Sequence, residues 1–119
     1  MSWDVIVIGG GAAGLFCAGI AGQLGKKVLV LDHASVLGEK IRISGGGRCN
    51  FTNLHSAPTH FLSLNPHFVK SSLARYSSKD FIDLVKHYRI PFHEKHQGQL
   101  FCDETAKDII QMLFSECQK

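Results

Sequence analysis

The residues best placed to do chemistry lie near the start of the chain, where the apolar run Val5-Ile6-Val7-Ile8 breaks into Gly9-Gly10-Gly11-Ala12-Ala13-Gly14. The spacing Gly9-x-Gly11-x-x-Gly14 gives each glycine a task in a turn from strand to helix. Gly9 allows the tight turn, Gly11 lets a diphosphate approach the backbone, and Gly14 lets the helix pack closely on the strand. A helix starting at Ala12 and Ala13 would aim unpaired N–H groups and the positive end of its dipole at that anion. A carboxylate completes the pattern. Asp32 ends the second apolar run, Lys27-Val28-Leu29-Val30-Leu31, where an acid can accept both hydroxyls of an adenosine ribose. The same acid would repel a 2′-phosphate, which disfavours NADP there. His33 follows it at the strand end and is a further candidate contact.

A second constellation is Ser44-Gly45-Gly46-Gly47-Arg48-Cys49-Asn50-Phe51-Thr52-Asn53. Three consecutive glycines permit positive φ and expose backbone amides, so the loop could lie against a flat ring or a phosphate. Lys40, Arg42 and Arg48 make it cationic, and Ser44, Asn50, Thr52 and Asn53 add neutral hydrogen-bonding groups. The alternative is a flexible surface loop whose Arg48 makes an ordinary ion pair; residue types alone leave both readings open. Cys49, beside Arg48, could have a lowered pKa and a redox role, although no partner cysteine is near in sequence.

These groups must be positioned by a strand-turn-helix-strand unit. Its helix is expected over roughly Ala13 to Leu24, with small Ala18 on its packing face and Gly25 as a left-handed stop. Downstream, Asn65-Pro66 suggests a helix start running to about Tyr76. Ser77-x-x-Asp80 resembles a capping box opening a helix to about Arg89, with Pro91 beyond it. Phe92-His93-Glu94 and Leu100-Phe101-Cys102 read as a β-hairpin. Thr105-x-x-Asp108 would cap a last helix whose Ile109, Ile110, Leu113, Phe114 and Cys117 form an apolar face in need of a partner.

With 119 residues, 45% of them apolar and 19% charged, the chain has the composition of one small globular domain. A net charge of +3 with scattered Lys and Arg suits an anionic cofactor and falls short of a nucleic-acid footprint. Apolar stretches are too short to span a bilayer, and no basic segment precedes an apolar one at the start, so no export signal is expected. The four cysteines lack CxxC or zinc-ligand spacing and read as reduced thiols of a cytoplasmic protein. His93 and His96 flank Glu94-Lys95, but this is not HExxH, and no metal site is expected. Only one strand-helix-strand unit is visible, so a doubly wound α/β domain looks incomplete at residue 119.

The run Gly38-Glu39-Lys40-Ile41-Arg42-Ile43-Ser44-Gly45-Gly46-Gly47-Arg48-Cys49-Asn50-Phe51-Thr52-Asn53 closely resembles the G-x-K-x-x-x-SGGGRCNxTN signature of a bacterial flavoprotein family. Its members are variously labelled HI0933-like proteins, NAD(P)/FAD-dependent oxidoreductases or the aminoacetone oxidase family. Gly98 to Asp108 resembles the family's G-R-x-F-P-x-S-x-x-A segment, so the whole chain is similar to the family's N-terminal part. The resemblance implies a Rossmann-like FAD-binding βαβ unit of the two-dinucleotide-binding-domain type, incomplete here. By analogy Gly9, Gly11, Ala12, Ala13 and Gly14 would hold the pyrophosphate and Asp32 the ribose. Lys40 and the loop Ser44, Gly45, Gly46, Gly47, Arg48, Cys49 and Asn50 would lie along the flavin. Departures are Asp32 where glutamate is commoner, Glu39 and Arg42 before the glycines, and Gln99 and Cys102 in place of Arg and Pro.

On this reading residues 1–53 form the dinucleotide-binding part and residues 54–119 a helical and hairpin cover. The expected function is the FAD-binding part of an oxidoreductase acting on a small metabolite by hydride transfer, with NAD(P)H as a candidate electron donor. The isolated chain would be inactive, completed by the remainder of a longer chain or by a partner chain. Neither nucleic acid nor membrane is expected as a partner, and catalytic residues are not identified. The alternative is a stand-alone nucleotide-binding or interaction module. An NAD-dependent dehydrogenase is disfavoured by the second glycine loop.

Overall fold

The computed structural model describes residues 2–119. In chain order the elements are β1 (Val5–Ile8), α1 (Ala12–Gln23), β2 (Val28–Leu31), α2 (Glu39–Ile43) and β3 (Asn50–Asn53). There follow α3 (Lys70–Arg75), α4 (Ser78–His87), β4 (Phe92–Glu94), β5 (Gln99–Cys102) and α5 (Lys107–Cys117). They fall into two compact units. The first runs to Cys49 and takes in Thr105–Lys119, and the second is Asn50–Glu104.

In the first unit β1 and β2 pair in parallel, with Val5 opposite Val28 and Ile8 opposite Leu31. Parallel neighbours need a crossover, and α1 supplies it. Because side chains alternate across a strand, Val7 is buried while Ile6 and Ile8 are exposed on the other side. Leu15, Ala18 and Gly19 of α1 are buried, and α5 packs against that helix. The approach is close: a Cβ on Gly19 would lie 3.5 Å from Glu116. The Cys117 thiol donates to the Leu15 carbonyl at 3.4 Å, and Gln23 Nε2 donates to the Glu116 carbonyl at 2.9 Å. The apolar face of the last helix thus finds its partner in α1. That face is centred on Ile109, Met112 and Leu113, while Ile110, Phe114 and Cys117 lie at its margins.

Thr105-x-x-Asp108 does not form the expected cap. The helix starts at Lys107 with no side-chain cap, and the Thr105 hydroxyl instead accepts from the Lys107 N–H at 3.2 Å.

The second unit is a three-stranded antiparallel sheet in the order β3-β5-β4. The expected hairpin is present, with Phe92 opposite Cys102 and Glu94 opposite Leu100. An unexpected third strand, β3, pairs with the other edge of β5. Phe51 holds this sheet to α4, its ring lying 6.0 Å from Phe81 and, edge-on, 5.5 Å from Phe92. The capping box of α4 is complete: the Ser77 hydroxyl accepts from the Asp80 N–H at 3.2 Å, and the Asp80 carboxylate accepts from the Ser77 N–H at 2.8 Å. Asn65 starts no helix. Its carboxamide oxygen accepts from the His67 N–H at 3.0 Å in a local turn, and α3 begins only at Lys70.

Candidate functional site

The three glycines of the first turn behave differently, and the differences are steric. Gly9 has φ +105°, a backbone region that L side chains rarely adopt. A Cβ on Gly14 would stand 1.8 Å from the Gly9 carbonyl oxygen, so helix and strand can meet only without one. A Cβ on Gly11 would meet nothing within 4 Å. The turn is therefore closed on the protein side at Gly14 and open on the outer side at Gly11. Gly11 is also the N-cap of α1, where no side chain caps the helix and no acid stands in the first turn. The amides of Ala12, Ala13 and Gly14 open a twelve-residue helix whose positive dipole end meets no counter-charge in its first turn.

Asp32 is tied directly to this turn. Its Oδ2 accepts from the Gly10 N–H at 2.7 Å and its Oδ1 from the Ala34 N–H at 2.8 Å. These two backbone donors, Ala34 first, hold the carboxyl below its ordinary pKa, and nearby His33 adds a smaller effect in the same direction. An ionised carboxylate offers about four lone-pair sites. Acceptor capacity beyond these bonds remains for a further donor, and the side chain is 15% exposed. His33 projects fully into solvent, its Nδ1 3.6 Å from Asp32 Oδ1. Ile8, Gly9, Leu31, Asp32 and His33 line an open cleft of about 210 Å³ at the carboxyl ends of both strands. That is where ligands of open α/β sheets bind.

The connector after Asp32 was legible in sequence only as a loop, yet it folds back over the turn. The Gly38 N–H donates to the Gly10 carbonyl at 2.8 Å, and a Cβ on Gly10 would run into the Leu37 side chain at 2.3 Å. Gly38, at φ +76°, then starts α2, in which Arg42 forms an ion pair with Glu39 one turn earlier. Lys40 is exposed on the same short helix.

The second glycine loop is wound rather than extended. Gly45, Gly46 and Gly47 have φ +55°, +66° and +87°, and Cys49 follows at +55°. The Ser44 hydroxyl donates to the Ile41 carbonyl at 2.8 Å, and the Ser44 carbonyl accepts from the Cys49 N–H at 3.0 Å. The Gly47 carbonyl accepts from the Ala106 N–H at 2.8 Å, which anchors the loop beside the start of α5. A Cβ on Gly46 or Gly47 would meet nothing within 4 Å, so the loop too has an open side. Arg48 is exposed.

Cys49 is 6% exposed, and burial pushes its thiol pKa up against a smaller opposing effect from Ser44. The low-pKa redox thiol considered from the adjacent Arg48 is thereby corrected: desolvation by burial outweighs the hydrogen bond from Ser44. Asn50 belongs to the second unit, where its amide, oriented so that its nitrogen faces the two neighbouring acceptors, donates to the carbonyls of Leu100 at 3.1 Å and Thr52 at 3.0 Å. The first unit therefore brings together Gly9, Gly11, Ala12, Ala13, Gly14, Asp32 and His33 at one strand end, and carries Lys40 and Ser44 to Cys49 on the segment that follows.

A parallel strand-helix-strand unit with an open glycine turn and an acid at the second strand end defines a Rossmann-type α/β domain. Residues 3–119 match the model of the HI0933-like protein Rossmann domain, and the chain belongs to that family. It is 56% identical over 117 residues to the ribosomal RNA dihydrouridine synthase of Escherichia coli (strain K12), covering 98% of this chain and 29% of that protein. It is 60% identical over 114 residues to the protein of the same name from Haemophilus influenzae, covering 96% of this chain and 28% of that one. A 4-oxocyclohexanecarboxylate 2-dehydrogenase of Sinomonas cyclohexanicum is 42% identical over 60 residues, half of this chain and 10% of that protein. The chain thus spans less than a third of the length of these relatives. No described helix is long and apolar enough to cross a membrane.

Proposed function

We propose that this chain is the FAD-binding N-terminal portion of an enzyme that reduces uridine in ribosomal RNA to dihydrouridine. The observation that supports the cofactor reading is the unshielded start of α1 at Gly11, with the Asp32 carboxylate bound to the neighbouring Gly10 amide. The amides of Gly11, Ala12, Ala13 and Gly14 would hold the pyrophosphate. The remaining acceptor capacity of Asp32 would take the adenosine ribose, with Gly9 and His33 at the rim. Lys40, Arg48 and the amides of Ser44, Gly45, Gly46 and Gly47 would lie along the flavin and favour its anionic reduced form. Cys49 would act through packing, and Asn50 through its hold on β5. Bound FAD would supply a hydride, taken in turn from NAD(P)H, to the 5,6 double bond of uracil, with a proton completing the two-electron reduction.

The substrate half of this reading rests on the two relatives of 56% and 60% identity. It replaces the small metabolite expected from sequence and brings in a nucleic-acid partner that scattered basic charge did not announce. The small-metabolite reading survives as a second one because of the Sinomonas relative, whose likeness extends over only 60 residues. Residues 1–53 would do the dinucleotide binding with residues 54–119 as cover, in the cytoplasm where ribosomes are found. The remainder of a longer chain would cover the apolar sheet face left open at Ile6 and Ile8, and the 119 residues alone would be inactive.

The test is nucleoside analysis of ribosomal RNA from a strain lacking the gene. Dihydrouridine should be lost and should return with the full-length gene but not with its Gly11→Val form. Unchanged dihydrouridine in the deletion strain would refute the substrate assignment.

A further inference from the structure

The second unit carries a cleft that the dinucleotide turn does not use. It measures about 610 Å³ and is lined by Asn53, His55, Ser56, His60, Phe61 and Gln97, within the range of about 300–1,000 Å³ typical of small-ligand sites. We propose that this cleft seats one unpaired nucleoside of an RNA substrate, with the Phe61 ring as stacking platform and His55, Ser56, His60 and Gln97 as its hydrogen-bonding rim. The proposal rests on the RNA reading above and gives that reading a place of contact.

Three observations carry it. The lining contains no carboxylate, so nothing in it repels a phosphodiester. Imidazole, hydroxyl and carboxamide groups offer both donors and acceptors, as the edge of a base requires. Phe61 keeps a large aromatic ring 45% exposed, and splayed bases of single-stranded RNA are held by stacking on such rings.

The wall behind these groups is built in advance. Asn53 Oδ1 accepts from the His55 N–H at 2.8 Å, and Asn53 Nδ2 donates to the Gln97 carbonyl at 2.9 Å. The Gly98 carbonyl accepts from the Leu54 N–H at 2.9 Å. The His55 ring lies so close to Gly98 that a Cβ there would be 2.7 Å from its Cδ2, and Gly98 has φ +79°. Gln97, not a glycine, is held at φ +54° beside it. Asn53 is therefore spent on architecture, which leaves the other five residues to face a ligand.

The test is filter binding of protein-free bacterial ribosomal RNA to the full-length protein, with the visible flavin spectrum of each variant as a control for folding. Phe61→Ala should raise Kd about tenfold or more, while Phe61→Trp, which keeps a stacking surface, should bind about as tightly as wild type. His60→Ala, at an exposed position, should raise Kd about two- to tenfold and serves as the second variant if Phe61→Ala loses its flavin. RNA binding by the wild type that Phe61→Ala and His60→Ala leave unchanged would overturn the cleft while sparing the RNA reading. A flavin-loaded wild type that does not bind ribosomal RNA would overturn both.

Discussion

Replacing Gly14 by alanine should break the first unit, whereas replacing Gly11 by valine should leave it folded and without cofactor. The difference follows from what each new side chain meets. At Gly14 the Cβ would stand 1.8 Å from the Gly9 carbonyl oxygen, and contacts below 3.0 Å are essentially never seen, so helix and strand must part by at least 1.2 Å. Both partners are backbone, and neither can rotate away. Overpacking of flexible side chains costs about 1–3 kcal/mol; with rigid partners the cost should lie at the upper end, about 3 kcal/mol or more. At Gly11 nothing lies within 4 Å, and its φ of −87° and ψ of −162° suit any L residue. The folding cost there is the loss of a tolerated N-cap glycine, on the order of 1 kcal/mol. The assay is chemical denaturation of the two full-length variants together with the flavin recovered per chain. Equal stability of Gly14→Ala and wild type would refute the packing argument. A Gly11→Val protein with a full complement of flavin would refute the assignment of the turn.

Further predictions concern the groups around that turn and the second unit. Asp32→Ala should weaken FAD binding about 10- to 100-fold, the range for hydrogen bonds to a charged group; unchanged affinity in a titration would remove Asp32 from the site. Because the folded carboxyl of Asp32 lies below its ordinary value of 3.8, its stabilising contribution is present above that pH and is lost as the pH falls through the lowered value. Acid melting curves of wild type and Asp32→Asn should therefore converge below pH 3.8, and parallel curves would contradict the Gly10 and Ala34 bonds. Ser77→Ala should cost about 1 kcal/mol by removing half of the capping box, measured by denaturant unfolding. On brief alkylation under native conditions exposed Cys17 should react before buried Cys49 and Cys102, as mass mapping would show.

The elements that set the site were legible because local rules and tertiary context agree there. Strand, glycine turn, helix and second strand each carry their own signal, and the Ser77 box and the 92–102 hairpin are complete within a few residues. Signals failed where a local pattern had a stronger competitor. Asn65-Pro66 looks like a helix start, but the Asn65 side chain is satisfied by His67 two residues on. Thr105 and Asp108 have capping spacing, but the chain enters α5 through Ala106, whose N–H is already given to Gly47. Asn50 to Asn53 form a strand only because β5, far along the chain, has a free edge to pair with.

Within the site, the sequence marks Asp32 as a candidate acceptor at the second strand end but not as the clamp that closes on Gly10, since a hydrogen bond between residues 22 apart leaves no periodic trace. The burial of Cys49 was hidden as well: composition around it is polar and glycine-rich, and the left-handed conformations at Gly45, Gly46, Gly47 and Cys49 itself carry no side-chain periodicity.

The central claim is that the Gly9 to Gly14 turn and Asp32 belong to a bound FAD. It is tested most directly by denaturing the purified full-length protein and identifying the nucleotide it releases. Release of about one FAD per chain by the wild type, and of none by Gly11→Val, is the predicted result. A colourless protein that releases no flavin and gains none on incubation with FAD would contradict it.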